Sequence, residues 1–160
     1  MKELKFEELS TRQKLGMTFT AFLNADERTP EEDAFIVDMI KDHSLGSVWI
    51  QVGSGSVEEL MKMVNDAADY PILIFTDAES GIKPFMVGRH NAIAATGNEQ
   101  HAYIFGKVVG VTARKKGYNV VCDPVVDMNA GSQRSLGTDK EKVGELASAI
   151  AQGMHDGGIL

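Results

Sequence analysis

Apolar residues recur along this chain in two periods. Three short, nearly continuous apolar runs read as buried strands. They are Ser47-Val48-Trp49-Ile50-Gln51-Val52, Pro71-Ile72-Leu73-Ile74-Phe75 and Tyr118-Asn119-Val120-Val121-Cys122. They are rich in β-branched and aromatic residues, bounded by Gly or Pro, and too short for helices. Continuous apolar character suits parallel strands covered on both faces. Between them the period becomes helical. Val57, Leu60, Met61 and Val64 share one stripe, as do Ala102, Phe105, Val109 and Ala113. Val143, Leu146, Ala147, Ile150 and Met154 form a third, and each stripe predicts a core-facing helix side. Two further helices are expected before the first strand, over about 11–23 and 30–42.

Helix starts are marked by hydroxyls three residues ahead of an acid or amide. Ser10, Thr29, Ser56, Thr96 and Thr138 each fit a capping box, and Pro30 suits the first helical position. The expected order is two helices, then three βα units, then a further strand beginning at Gly157-Gly158-Ile159-Leu160. Alternation of this kind predicts an α/β fold with a parallel sheet and right-handed crossovers. The stretch from Asp77 to Gly97 shows no clear period, and long irregular connections tend to carry function.

Composition narrows the classes. The chain has 160 residues and a net charge of −7. It is long enough for one domain with a core, and its acidity disfavours nucleic acid and anionic membrane as partners. No apolar run approaches the roughly 20 residues of a membrane span. The polar start predicts no signal peptide, and hence a cytoplasmic setting. Cys122 is the single cysteine, which excludes an internal disulfide, and it is expected to pack rather than react. The cluster Arg114-Lys115-Lys116 falls at a helix end, where positive charge suits the macrodipole. Gly53-Ser54-Gly55-Ser56 lacks the spacing of a nucleotide loop and reads as a βα turn. The four histidines form no metal pair, so no cofactor is expected.

Candidate chemistry gathers at two strand ends. Asp77 and Glu79 follow the second apolar run. Asp123-Pro124-Val125-Val126-Asp127-Met128-Asn129 follows the third and leads to Arg134-Ser135-Leu136-Gly137. In parallel α/β folds, ligands bind at the carboxyl ends of strands. Arg134 is the natural partner of this acid cluster. His90 lies in the irregular connection. Spacing alone allows a ligand site or a self-tied set of loops.

These motifs resemble glycoside hydrolase family 3. Asp77-Ala78-Glu79-Ser80-Gly81 is similar to its Asp-x-Glu-Gly-Gly motif, with Ser80 in place of the first glycine. Gly117 to Asn129 resembles its third βα unit, and Arg134-Ser135-Leu136-Gly137-Thr138-Asp139 its Arg-Ser-Phe-Gly-x-Asp segment. The resemblance implies that residues 1–160 are the first portion of a TIM-type (β/α)8 barrel domain, which in full needs about 250 residues. It implies a retaining, exo-acting β-glycosidase of the N-acetylglucosamine or glucose type. Asp77 and Arg134 would hold sugar hydroxyls, with Glu79, Asp127, Asn129 and His90 around them. The nucleophile and the acid/base group would lie beyond Leu160, so no catalytic residue is assigned within the chain. A small carbohydrate is then the expected partner, together with self-association through unpaired sheet edges. Two other readings remain at this point. One is a non-catalytic α/β carbohydrate-binding module, and the other a metal-dependent TIM-type enzyme using Asp77 and Glu79.

Overall fold

A computed structural model describes residues 3–51, 57–86, 88–128 and 131–160. It divides into two compact units, Met1–Thr76 and Asp77–Leu160. Among the described residues the strands form no closed barrel.

The first unit contains α1 (Thr11–Gly16), β1 (Thr20–Asn24), α2 (Pro30–Lys41), β2 (Ser47–Gln51), α3 (Val57–Ala67) and β3 (Leu73–Thr76). Its strands are parallel in the order β1-β2-β3, with Phe22 opposite Trp49 and Trp49 opposite Phe75. Ser10 and Thr29 each close a full capping box, as expected. Ser56, and the turn beginning at Gly53, lie outside the described residues. Leu60, Met61 and Val64 are buried as their stripe predicts.

Two expectations for this unit are overturned. The helix expected over about 11–23 ends at Gly16, and Thr20–Asn24 is a strand instead. Its apolar residues Leu15, Phe19, Phe22 and Leu23 fall at helical spacing by coincidence, while Thr and Phe favour the extended chain. The strands are also not covered on both faces. Val48, Ile50 and Ile74 are buried, but Phe22 on the opposite face is 63% exposed. Trp49 and Phe75 stack along that face, with ring centroids 6.2 Å apart.

The second unit contains β4 (Gly81–Ile82), β5 (Phe85–Met86), α4 (His90–Thr96), α5 (Glu99–Lys116), β6 (Val120–Val121) and α6 (Lys140–Asp156). The connection expected to be irregular therefore holds an antiparallel hairpin and a short helix. Gly81 enters the hairpin at φ +87°, a conformation that favours glycine. The caps expected at Thr96 and Thr138 shift by one or two residues. Asn98 caps α5 by accepting from the Gln100 N–H, and Asp139 caps α6 by accepting from the Lys142 N–H. Gly117 closes α5 in the left-handed region, directly after the basic cluster.

Helices α5 and α6 make the core of this unit. Their predicted stripes, Ala102, Phe105, Val109 and Ala113 against Val143, Leu146, Ala147, Ile150 and Met154, are all buried. Glycines let the two backbones meet. A methyl group on Gly106 would collide with the Ile150 carbonyl, and one on Gly153 with the Tyr103 carbonyl. At the end of the chain the Leu160 N–H donates to the Asn119 carbonyl at 3.0 Å and the Val121 N–H to the Leu160 carbonyl at 3.4 Å, which ties these last residues to β6. Cys122 corrects another expectation. It stands exposed just past β6 rather than packed. Partial desolvation, then the Asp77 and Asp123 carboxylates, push its thiol up, away from the reactive thiolate.

Candidate functional site

The second unit brings most of the predicted polar residues together. Asp77 follows the last residue of β3 in sequence, and Glu79 lies on the turn into the hairpin, where it bridges to Gly81. Arg134 arrives from the segment between β6 and α6. Its Nη2 sits 2.8 Å from Glu79 Oε1. The arginine side chain is 51% exposed and the glutamate 22%, so the pair stays open to an incoming ligand.

Asp77 is exposed and feels the charges of this cluster. Its carboxyl is held above the usual carboxylate range, first by desolvation, then by the Glu79 charge. Arg134 opposes the rise, and Asp123 adds to it. A carboxylate crowded by other carboxylates is under electrostatic stress that a hydroxyl-bearing ligand can relieve by donating hydrogen bonds.

The Arg134 segment is fixed by its own polar groups. The Arg134 N–H donates to Ser132 Oγ at 3.2 Å. The buried Ser135 hydroxyl reaches the Asp127 carbonyl at 2.6 Å and the Gly137 carbonyl at 2.9 Å, while accepting from the Gly137 N–H at 3.0 Å. Asp127 thereby anchors the loop through its backbone, and its residue is exposed. Asn129, expected at the same site, lies outside the described residues.

His90 is not at the surface of the site but beneath it, with no exposed area. Its Nδ1 is 2.9 Å from the Arg134 carbonyl, an acceptor only, so Nδ1 carries a proton and donates. Its Nε2 lies 3.1 Å from Asp123 Oδ2 and 3.0 Å from Oδ1, and both side chains are fully buried. Both nitrogens therefore face acceptors, which calls for the doubly protonated ring. Burial opposes that charge, but the Asp123 hydrogen bond and charge outweigh it, helped by the Arg134 carbonyl and Glu79, and His90 is raised above its ordinary 6.5. The edge of His90 meets Phe105 at right angles, with centroids 6.0 Å apart. The sequence set His90 among the ligand groups and Asp123 in the acid cluster whose expected partner is Arg134. Their pairing links residues 33 apart. The one available signal was an acid directly after an apolar strand, which needs a buried partner.

Among the described residues, no group of three or more His, Cys, Asp or Glu converges in a way that holds a metal ion. No helix is long and apolar enough to cross a membrane.

Residues 5–160 match the family model described as the glycosyl hydrolase family 3 N terminal domain. A search of curated proteins finds no significant match. Among solved structures, a family 3 glycosyl hydrolase from Mycobacterium smegmatis is 23% identical with a TM-score of 0.79. The match covers 98% of this chain and 50% of that one. LpqI of M. tuberculosis is 22% identical with a TM-score of 0.75, over 94% of this chain and 47% of its own. A family 3 β-N-acetylglucosaminidase from Paenibacillus sp. is 24% identical with a TM-score of 0.73, over 94% of this chain and 32% of its own. At these identities the likeness establishes the α/β fold. The chain spans about half the length of the first two of these relatives. The chain belongs to glycoside hydrolase family 3, as its N-terminal domain.

Proposed function

As a member of that family, we propose, this chain contributes the sugar-positioning part of the active site of a retaining, exo-acting β-glycosidase. Asp77 and Arg134 hold hydroxyls of the terminal sugar, with Glu79 orienting the guanidinium. Asp127 and Asn129 lie on the adjoining segment. One observation carries the reading: the half-exposed Arg134 is aimed by Glu79 at 2.8 Å beside the stressed carboxyl of Asp77. Carboxylate and guanidinium groups bind vicinal hydroxyls in pairs, and such bonds can tighten as the ring flattens toward the oxocarbenium state.

A retaining mechanism needs two carboxyl groups about 5–5.5 Å apart across the scissile bond. By the family resemblance, Asp77 and Glu79 play neither part, so the reading is binding without turnover by this chain alone. The sugar is of the N-acetylglucosamine or glucose type. Calorimetric titration with both monosaccharides tests it, with aryl β-glycoside hydrolysis followed in parallel. Saturable binding in the millimolar range, about −4 kcal/mol, supports the reading if it disappears in Asp77→Asn. Binding unchanged by that substitution, or robust hydrolysis by the chain, contradicts it.

A further inference from the structure

The His90–Asp123 pair has a place in this site that neither residue fills by touching a ligand. Both side chains are fully buried, so neither reaches a substrate. Two donors from the start of α4 nonetheless grip the segment that carries Arg134. The Asn91 N–H donates to the Gln133 carbonyl at 3.2 Å, and His90 Nδ1–H to the Arg134 carbonyl at 2.9 Å. A carbonyl held by a charged donor is held more strongly than one held by a neutral donor.

We propose that His90, kept as an imidazolium by Asp123, is a positioning residue that fixes the Arg134 backbone so that its guanidinium reaches Glu79 and the sugar site. The inference rests on the reading of Arg134 as a sugar-binding group. The groups facing the imidazole are Asp123 from the end of β6, the Arg134 carbonyl, the Glu79 charge and the uncharged edge of Phe105 from α5. Buried Asp123 Oδ1 has no hydrogen-bond donor of its own among the described residues; its one cationic neighbour is the ring nitrogen shared with Oδ2. If the ring were neutral with its proton on Nδ1, Nε2 would present a lone pair to those oxygens. The arrangement is therefore self-consistent when the ring is charged, and loss of the charge weakens the grip on Arg134.

Nitrogen-15 NMR of the labelled chain, without sugar, tests this. Both ring nitrogens of His90 are expected to be protonated below its ordinary value of 6.5. As the pH rises and His90 loses one proton, the Arg134 Nε–H signal is expected to move on the same transition and to exchange about tenfold faster. Asp123→Asn shifts that shared transition to lower pH. If this variant does not fold, the titration of the unmodified chain still decides the matter. A purely structural role for the pair changes the melting temperature without moving the Arg134 signal. A singly protonated His90 near pH 6, or an Arg134 signal flat through the His90 transition, overturns the inference. The measurement is independent of sugar binding. If calorimetry shows no sugar bound while the signals stay coupled, the subsite reading fails and the coupling stands. If sugar binding depends on Arg134 but the signals are uncoupled, the positioning inference alone fails.

Discussion

His90 and Asp123, 33 residues apart, form an ion pair with no solvent-exposed area on either side chain. Breaking such a pair on one side strands a buried charge, which costs far more than the intact pair contributes. Asp123→Ala is therefore expected to destabilise the chain by about 3–5 kcal/mol, measured by urea unfolding. The double variant His90→Phe with Asp123→Leu removes both charges and is expected to recover much of that loss. The contribution depends on pH with a definite sign. His90 is raised above 6.5 in the folded chain. Its stabilisation is thus fully present below pH 6.5 and is lost as the pH climbs through the raised folded value. Unfolding midpoints across that interval read this directly.

Asp77 gives a pH dependence of the same sign, though here it is the charged form that the fold disfavours. Its carboxyl is raised by desolvation and by Glu79, so ionisation costs stability as the pH rises through the folded value. Asp77→Asn is expected to raise the unfolding free energy slightly at neutral pH, by at most about 0.5 kcal/mol at so exposed a position. The gain should vanish below the ordinary value of 3.8. A residue whose removal stabilises the fold but abolishes sugar binding is the pattern of a functional site.

Arg134 and Glu79 are open to solvent, and open ion pairs contribute little to stability. Glu79→Gln is expected to change unfolding free energy by no more than about 1 kcal/mol. The same variant should weaken sugar binding, because the guanidinium loses its aim. Calorimetry beside thermal melting separates the two effects.

Glycines in α6 give two expectations of opposite sign. A methyl at Gly153 meets the Tyr103 carbonyl, so Gly153→Ala should destabilise by about 1–3 kcal/mol. Nothing lies within 4 Å of a methyl at Gly144. There the helix propensity of alanine acts alone, and Gly144→Ala should stabilise by up to about 1 kcal/mol.

The exposed face of the first unit predicts self-association. Phe22 is 63% exposed, in register with Trp49, and β1 ends its sheet within that unit. Apolar faces and unpaired edges of this kind recruit other chains. Light scattering should show a dimer or larger species, with Phe22→Ser shifting it toward monomer.

What was legible in the sequence was local or periodic. The stripes of α3, α5 and α6 could be read because burial repeats every turn, and Ser10 and Thr29 because a capping box closes within four residues. β1 was hidden because Leu15, Phe19, Phe22 and Leu23 mimic a helical stripe. α4 was hidden because it is short and Arg89 gives it no side-chain cap. Asp77, Glu79 and Arg134 were legible as a cluster through their motifs. The burial of His90 was not, since its partners come from β6 and the Arg134 segment and only the folded chain brings them together.

The central claim is that Asp77 and Arg134 form one sugar-binding surface. An amide NMR titration with N-acetylglucosamine and with glucose tests it most directly. The account predicts that signals of residues 77–81 and 131–137 move together and saturate with a single constant for one of the two sugars. Shifts confined to other parts of the chain, or none at saturating sugar, would contradict it.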